Sequence, residues 1–277
     1  MSARPSLDAL ARLAIAAGRE ILAVRAAGFD AMQKGDGSIV TIADQRAEEI
    51  IERGLIALCP DIPMLGEEAV AAGRVPDTSG RFFCVDPLDG TRGFSRGGDE
   101  FTVNIGLVEH GAPVMGVVLS PTDGALYAGE PGRALRARVR LDDDAPIAFE
   151  PIHTGEKQGG TWRLVASRSF GRTADALAFA AALGTSVQDD ASSSIKFCRV
   201  AEGAADLYPR FGQMREWDAA AAHAILRAAG GDVMRLDGAP LIYGRREAEF
   251  LIEGLIAFAN ETAADAARDA LARMAKR

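Results

Sequence analysis

The sequence has few of the residues that build disulfide frameworks or zinc sites, because its 277 residues include only three cysteines and three histidines. Cys59, Cys84 and Cys198 are an odd number without a Cys-x-x-Cys pair, so we expect reduced core residues. None of the three histidines is spaced from another as a pair of metal ligands would be. Soft-ligand metal chemistry and a disulfide scaffold are therefore excluded.

Basic charge and long apolar runs are also scarce. Lys and Arg number 31 against 39 Asp and Glu, which gives a formal net charge of −8 and argues against nucleic acid as a partner. Nowhere do about 18 apolar residues run uninterrupted, so we expect no stable membrane insertion and a cytoplasmic location. Hydrophobic residues make up 48% and charged residues 25%, which is the balance of a folded globular protein.

The most informative motif is the heptapeptide DPLDGTR, which begins at Asp86 directly after a short apolar run. The apolar run is typical of a buried strand, after which Pro87 and Gly90 predict a tight turn. That turn would gather Asp86, Asp89 and the Leu88 carbonyl around one point. Such oxygen ligands suit a hard divalent cation such as Mg²⁺, although the same residues without context are ordinary turn formers.

Two further acidic stretches lie far from this motif. Glu67 follows an apolar pair, and Asp218 follows Trp217 at the start of an alanine-rich helical pattern. Each is weak evidence alone, because paired glutamates are usually solvated and an Asp at a helix start is usually a cap. Together with Asp86 and Asp89 they give four separated carboxylates at element ends, which meets the preference of Mg²⁺ for a few protein ligands.

The spacing of apolar residues predicts two opening helices. The first covers residues 7–26, and the second follows a capping box at residues 41–44 and ends before Pro60. Asp44 belongs to that capping box. It either caps the helix or belongs to the site, since both roles fit a helix N-terminus.

The remaining pattern divides the chain into two halves, which we place at residues 1–150 and 151–277. Residues 101–139 predict an antiparallel meander, so the first half is α+β. The polar run 142–160 predicts an exposed loop or domain junction. Strands and helices then alternate up to a closing helix at residues 261–275, so the second half is α/β.

In their order and their residues, these motifs resemble those of the magnesium-dependent, lithium-sensitive phosphatases of the inositol monophosphatase superfamily. The resemblance runs from KGDGSIVTIAD, which begins at Lys34, through the three acidic motifs. Two further stretches, EFTVNIGLV from Glu100 and IKFCRVAEG from Ile195, are most similar to the bacterial 3′(2′),5′-bisphosphate nucleotidases of that superfamily. The resemblance implies a layered sandwich of the sugar-phosphatase type, in which α and β layers alternate.

The resemblance also implies a metal site with two Mg²⁺ ions, or three with a looser ion near Glu67. The implied metal ligands are Glu67, Asp86, the Leu88 carbonyl, Asp89 and Asp218. Asp86 would bridge two ions. The Thr91 hydroxyl, paired with Asp36, would orient and deprotonate the attacking water.

A bisphosphorylated nucleotide would need a second anion pocket, for which the matching motifs of the second half supply cationic and hydroxyl side chains. The implied substrate contacts are Gly90, Thr91, Ser193, Ser194, Lys196 and Arg210. Trp217 either flanks the adenine or packs in the core. Phe170 stands where the nucleotidases have a histidine, which leaves the nucleoside contact at that position open.

The function that the resemblance implies is a magnesium-dependent phosphomonoesterase that removes the 3′-phosphate of adenosine 3′,5′-bisphosphate to give AMP. Such an activity clears a by-product of sulfate assimilation, and the enzyme would be a monomer or a homodimer. One alternative is an inositol monophosphatase or a broader sugar phosphatase with the same metal chemistry. An alternative from another class is an inactive regulator that binds metal or nucleotide.

Overall fold

A computed structural model describes residues 4–33, 39–156, 160–166, 173–191 and 193–275. The helices of these residues are α1 (Leu7–Ala27), α2 (Ile42–Leu58), α3 (Glu67–Ala71), α4 (Thr91–Phe94), α5 (Ala174–Ala182), α6 (Ile195–Ala201), α7 (Ala220–Ala228) and α8 (Glu261–Met274), with short 3-10 helices at Glu216–Asp218 and Arg246–Ala248. The strands are β1 (Ala31–Gln33), β2 (Ile39–Thr41), β3 (Met64–Gly66), β4 (Arg81–Asp89), β5 (Thr102–Glu109), β6 (Ala112–Ser120), β7 (Ala125–Glu130), β8 (Arg133–Arg138), β9 (Glu150–Pro151), β10 (Leu164–Ala166), β11 (Val187–Asp190), β12 (Leu207–Arg210), β13 (Met214–Arg215), β14 (Asp232–Arg235), β15 (Leu251–Ile252) and β16 (Leu255–Phe258).

These elements form alternating layers, as the resemblance implied. Helices α1 and α2 pack on one face of a seven-stranded sheet, and α7 with α6 packs on the other face. A five-stranded sheet follows, and α5 with α8 covers its outer face. The layered fold class is therefore confirmed. Whether the chain divides at residue 150 stays a prediction, and β9 spans that boundary.

The two opening helices begin and end where the sequence indicated. Ser6 caps α1 by accepting a hydrogen bond from the Ala9 N–H, and the helix ends at Gly28, which has a φ of 80°. Thr41 and Asp44 form the capping box of α2. Both helices bury an apolar stripe in one core cluster, which also contains Val103, Ile105 and Leu107, the residues that alternate along β5.

The seven-stranded sheet has the order β3-β4-β5-β6-β7-β8-β9, and only the β3–β4 pair is parallel. The predicted antiparallel meander is confirmed in β5 to β8. The predicted loop over residues 142–160 needs correction, because the short strand β9 lies within it and pairs with β8. The polar composition of this run hid the strand, which has only two residues.

A row of glycines on three neighbouring strands fixes the position of α7. Gly106 lies opposite Gly116, and Gly116 lies opposite Gly129. A Cβ at Gly116 would lie 2.0 Å from the Ala221 carbonyl oxygen, and one at Gly106 would lie 2.8 Å from the Ala221 nitrogen. Because only hydrogen fits there, α7 packs with its backbone directly on the sheet. The N-terminal end of α7 is thereby held close to the ends of β4 and β5.

The five-stranded sheet has the order β11-β10-β12-β16-β14 and mixes both strand directions. Strands β10, β11 and β12 are parallel, which is typical of the α/β arrangement that the sequence predicted for the second half. Strand β16 pairs antiparallel with both β12 and β14 and was not predicted. Its four residues form a short apolar run that periodicity alone cannot assign to a strand.

Two predictions from composition can be compared with the structure. Cys59, Cys84 and Cys198 are all buried and form no disulfide bond among the described residues, so their predicted place in the core is confirmed. In the part of the chain that the structure describes, no helix combines the length and the apolar character needed to cross a bilayer.

Candidate active site

The site begins at a β-bulge near the end of β4. Asp86 lies opposite Asn104 and Asp89 lies opposite Thr102, so β4 takes three residue steps where β5 takes two. Without the extra residue, Asp86 and Asp89 would point to opposite faces of the sheet; with it, they share one face. The predicted turn at Pro87 is therefore wrong, because β4 continues through Pro87 to Asp89. A bulge tolerates proline, since the ladder is interrupted there.

Asp218 reaches the same point from the other half of the chain. It ends the 3-10 helix Glu216–Asp218, which leads directly into α7. Each of Asp86, Asp89 and Asp218 offers one carboxylate oxygen, and these three oxygens lie within 4.8 Å of one another. The structure thus brings together three of the four carboxylates that the sequence singled out.

The charges in this cluster repel one another in a buried setting. Burial raises the pKa of Asp86 well above its usual range, and the charges of Glu67, Asp89 and Asp218 raise it further. Burial and then the charges of Asp89 and Glu67 raise the pKa of Asp218 to about 7. Burial also raises the pKa of Asp89, against the opposing effect of Lys196. A hard divalent cation would relieve this repulsion. The carboxylates of Asp86, Asp89 and Asp218 are therefore compatible with a bound cation of this kind.

Glu67 lies beside this cluster at the first position of α3. Its carboxylate is outside the group of three oxygens, but its charge raises the pKa values of Asp86, Asp89 and Asp218. Glu48 holds α3 in place, because its buried carboxylate accepts hydrogen bonds from the Glu68 N–H at 2.8 Å and the Ala69 N–H at 2.7 Å. The sequence analysis missed Glu48, which looks like one of many helix-surface acids.

The Thr91 hydroxyl lies 3.0 Å from Asp44 Oδ1 and 2.9 Å from the Leu88 carbonyl oxygen. Asp44 Oδ2 meanwhile accepts from the Thr41 N–H at 2.7 Å, so Asp44 caps α2 and also contacts Thr91. The capping role is therefore confirmed, and the contact with Thr91 leaves the site role of Asp44 a prediction. Burial is the main cause that raises the pKa of Asp44. Asp36, the implied partner of Thr91, lies outside the described residues.

Two serines of the second half close the site from the α6 side. Ser193 Oγ donates to the Asp89 carbonyl at 2.8 Å, and Ser194 Oγ lies 2.7 Å from the Asp218 carbonyl and 3.2 Å from Asp89 Oδ2. Gly90, with a φ of 103°, leaves room for Ser193, whose Oγ would lie 2.8 Å from a Cβ at Gly90. The structure therefore brings Gly90, Ser193 and Ser194 to the acidic cluster.

Asn104 is a further residue of this site that the sequence analysis did not single out. Its fully buried Nδ2 donates to Ser194 Oγ at 2.9 Å. Asn104 thereby links β5 to the N-terminus of α6 and to the two aspartates that Ser194 contacts. Asn104 lies within the EFTVNIGLV stretch, but only its place opposite Asp86 in the β4–β5 pair shows that it belongs to the site.

The cationic side chains of the second half lie on the α6 side of the cluster. Lys196 is only 4% exposed, and its ammonium donates to the Ser193 carbonyl at 2.5 Å. Burial lowers the pKa of Lys196 to about 8, although the charge of Asp89 acts in the opposite direction. Arg210 donates to the carbonyls of its own loop, Gly212 at 3.0 Å and Gln213 at 2.7 Å. Its charge lowers the pKa values of both Lys196 and Asp89, which places it near them.

Alternating helix and sheet layers around a cluster of one buried and two half-buried carboxylates are the features of a metal-dependent hydrolase. The family model of the inositol monophosphatase family matches residues 3–271, and the chain belongs to that family. This membership confirms the resemblance read from the motifs.

Individual relatives agree with this membership. Over 249 residues the chain is 40% identical to the 3′(2′),5′-bisphosphate nucleotidase CysQ of Escherichia coli O157:H7, which covers 87% of this chain and 95% of the relative. It is 30% identical over 202 residues to inositol monophosphatase 2 of Saccharomyces cerevisiae, covering 70% and 68%. The crystal structure of CysQ from Bacteroides thetaiotaomicron superposes with a TM-score of 0.72 at 34% identity, covering 91% of this chain and 96% of that one.

Proposed function

We propose that the protein is a magnesium-dependent 3′(2′),5′-bisphosphate nucleotidase that hydrolyses the 3′-phosphate of adenosine 3′,5′-bisphosphate to AMP and phosphate. The observation that carries this proposal is the convergence of Asp86, Asp89 and Asp218 beside the Thr91–Asp44 hydrogen bond. The 40% identity to a relative named as this nucleotidase supports the substrate.

The metal ligands of the proposal are the residues that the resemblance implied. Asp86, Asp89 and Asp218 would hold Mg²⁺ together with the Leu88 carbonyl, and Glu67 would complete a second or third site. A bound divalent cation supplies charge neutralisation and Lewis acidity to a phosphate ester. The chain's contribution is rigidity, because the bulge in β4 and the close packing of α7 fix the carboxylates before any ligand arrives.

Thr91 and Asp44 would handle the proton of the attacking water. The Thr91 hydroxyl would accept a hydrogen bond from that water while donating to Asp44 Oδ1, which lies 3.0 Å away. Asp44 would receive the proton through this hydroxyl, and its contacts with Thr41 keep the carboxylate oriented. Asp36 stays the alternative acceptor implied by the resemblance.

The second phosphate of the nucleotide would bind on the α6 side. Lys196 lies beside Asp89 and near Arg210, so a cationic pocket adjoins the acidic cluster. Gly90, Thr91 and the two serines would contact the reacting phosphate, because they surround the end of β4. A bisphosphorylated anion would then interact with the cation held by the acidic cluster at one end and with Lys196 and Arg210 at the other.

Substrate comparison tests this proposal against the inositol monophosphatase alternative, which the 30% identity to a yeast inositol monophosphatase keeps in view. Purified protein with saturating Mg²⁺ is assayed for phosphate release from adenosine 3′,5′-bisphosphate and from inositol 1-phosphate. We expect kcat/KM to be higher for the nucleotide. Equal or better use of inositol 1-phosphate would contradict the proposal, and hydrolysis of neither would favour a binding regulator.

A further inference from the structure

The 3-10 helix Glu216–Asp218 sends its three side chains to three different places. A 3-10 helix has about three residues per turn, so neighbouring side chains lie about 120° apart around its axis. Asp218 belongs to the acidic cluster, and Trp217 packs against Phe250 with ring centroids 6.2 Å apart. The Glu216 carboxylate instead contacts the segment between β14 and β15. Nothing in the proposed chemistry uses this carboxylate.

Glu216 is a buried acid with two backbone partners. It is only 1% exposed, and its carboxylate accepts from the Gly244 N–H at 2.6 Å and from the Arg245 N–H at 3.0 Å. Each oxygen takes one of these bonds, which fixes both the place and the plane of the carboxylate. Hydrogen bonds to an ionised acceptor are stronger than those between neutral groups. Glu216 therefore anchors the helix to this segment.

The same segment also holds the backbone around Glu216. The Glu216 N–H donates to the Phe250 carbonyl at 2.9 Å, and the Arg215 guanidinium donates to the Glu249 carbonyl at 2.6 Å. Strands β13 and β15 continue these contacts as an antiparallel pair. We call residues 244–252 the anchor segment, because they contact the helix from the side of its first residue.

The anchor segment has a conformation that its neighbours determine. Glu249 and Phe250 have φ values of 51° and 59°, in the left-handed region that residues with a Cβ rarely adopt. Such a conformation persists where the surrounding contacts enforce it. The Thr78 hydroxyl donates to the Gly244 carbonyl at 3.0 Å, and a Cβ at Gly244 would lie 2.9 Å from the Thr78 carbonyl oxygen. The anchor segment is therefore a fixed support for the helix.

The place of the Asp218 carboxylate depends on how this helix is turned. Asp218 Oδ2 accepts from the Arg215 N–H at 3.0 Å, which fixes the carboxylate relative to the helix. The rotation of the helix about its axis then decides how close the carboxylate lies to Asp86 and Asp89. A single turn has too few internal hydrogen bonds to keep its own orientation, so the rotation must be set from outside.

We infer that Glu216 is a positioning residue for Asp218, because its two bonds to the anchor segment set the rotation of the 3-10 helix. The inference rests on the proposed function, in which Asp218 is a ligand of Mg²⁺. Residues that orient metal ligands contribute about 10- to 100-fold to metal affinity or activity. Without Glu216 the helix is free to turn, and the three carboxylates no longer meet at one point.

Calorimetric titration with Mg²⁺ alone tests the inference without turnover. Wild-type protein, Glu216→Gln and Glu216→Ala are titrated, and the Kd for Mg²⁺ is compared. Glutamine keeps one acceptor oxygen for the two N–H groups, whereas alanine keeps none. We expect Kd to rise about tenfold in Glu216→Ala and to an intermediate value in Glu216→Gln. An unchanged Kd in Glu216→Gln, the milder variant, would overturn the inference even if Glu216→Ala does not fold.

Asp206→Asn is the matched control for lost stability. Asp206 is also a 1% exposed acid, and it accepts from the Arg163 N–H at 2.8 Å where β10 and β12 begin. We expect Tm to fall in both Asp206→Asn and Glu216→Gln, but the Kd for Mg²⁺ to rise only in Glu216→Gln. An equal rise in both would assign the effect to stability and overturn the inference.

The Mg²⁺ dependence of phosphate release gives a second measurement. Glu216→Ala should need about tenfold more Mg²⁺ for half-maximal activity, and saturating Mg²⁺ should restore most of kcat. A loss of kcat that Mg²⁺ does not restore would overturn the inference. Equal Mg²⁺ binding by wild-type protein and both variants would remove this inference alone. Wild-type protein that binds no Mg²⁺ would contradict the proposed function, and the inference with it.

Discussion

The acidic cluster and the cationic side of α6 face each other across Asp89. In both regions burial shifts the pKa values of the charged groups, upward for the acids and downward for the lysine. Burial and mutual repulsion raise the pKa values of Asp86 and Asp218, so these acids favour a bound cation. Burial lowers the pKa of Lys196 to about 8, so this base favours a bound anion. Neither region is arranged for its own stability.

The difference indicates that each region needs a ligand of the opposite charge. A buried charge without a partner costs free energy, and a protein retains such a charge where a ligand supplies the partner. A divalent cation would offset the charge of the acidic cluster, and a phosphorylated substrate would offset the charges of Lys196 and Arg210. The acids are held by the bulge in β4 and the packing of α7, whereas the cations are held mainly by carbonyls of their own loops.

Removal of one carboxylate from the acidic cluster should have the largest effect on activity. Asp89→Asn should lower kcat by about 10³-fold or more, because metal stabilisation of transition-state charge contributes several kcal/mol. Circular dichroism should show an unchanged fold. The rise in Tm that Mg²⁺ produces in the wild type should be reduced in the variant. Full activity of Asp89→Asn would refute its place among the metal ligands.

The proton acceptor is distinguished by a pair of variants. Asp44→Asn should lower kcat by about 10²-fold or more, since general-base catalysis contributes about 10² to 10⁴. Asp36→Asn serves as the comparison, because the resemblance implied that residue and the structure places Asp44 at Thr91. Steady-state rates of both variants decide the assignment. A larger loss in Asp36→Asn would transfer the role to Asp36.

The cationic region is tested by the pH dependence of substrate binding. Lys196 is charged below its pKa of about 8 and neutral above it, so KM for the bisphosphonucleotide should rise as pH increases through 8. The groups that act on its charge are Asp89, Arg210, Asp218 and Glu100. Lys196→Arg should remove the rise, because arginine stays protonated.

Lys196→Met is the matched control for that experiment. This variant should raise KM about tenfold at every pH, since a charge-assisted phosphate contact is lost. A KM that keeps the same pH dependence in Lys196→Arg would assign the titration to another group.

The close packing of α7 is tested by a single methyl group. Gly116→Ala would place a Cβ 2.0 Å from the Ala221 carbonyl, so we expect a loss of about 1–3 kcal/mol and a Tm lower by about 2 °C or more. Gly80→Ala is the control, because a Cβ there meets no atom within 4 Å. Thermal unfolding of the two variants compares them. Equal Tm values would show that α7 is not held by this contact.

The acidic motifs were recognisable from sequence because each is a short, local pattern at an element end. The family pattern linked them, and the structure brings Asp86, Asp89 and Asp218 together as expected. The detailed geometry of β4 was not predictable, because Pro87 and Gly90 favour a turn locally and only pairing with β5 shows the bulge. Tertiary contacts overrode the local preference.

The residues that sequence reasoning missed act through distant partners. Asn104 contacts Ser194, which lies 90 positions away. Glu48 accepts a hydrogen bond from the Glu68 N–H at the start of α3, which lies 20 positions away. Periodicity identifies which face of an element is apolar but not which polar residue another element will meet. Asp44 was left between two roles for the same reason, and the structure shows that it caps α2 and also contacts Thr91.

The most direct test of the account is ³¹P NMR of adenosine 3′,5′-bisphosphate incubated with the wild-type protein, with Mg²⁺ and with a chelator. We predict that the 3′-phosphate resonance disappears only with Mg²⁺, that the 5′-phosphate resonance of AMP remains, and that inorganic phosphate appears in equal amount. An unchanged 3′-phosphate at saturating Mg²⁺, or equal hydrolysis in the chelator, would contradict the account.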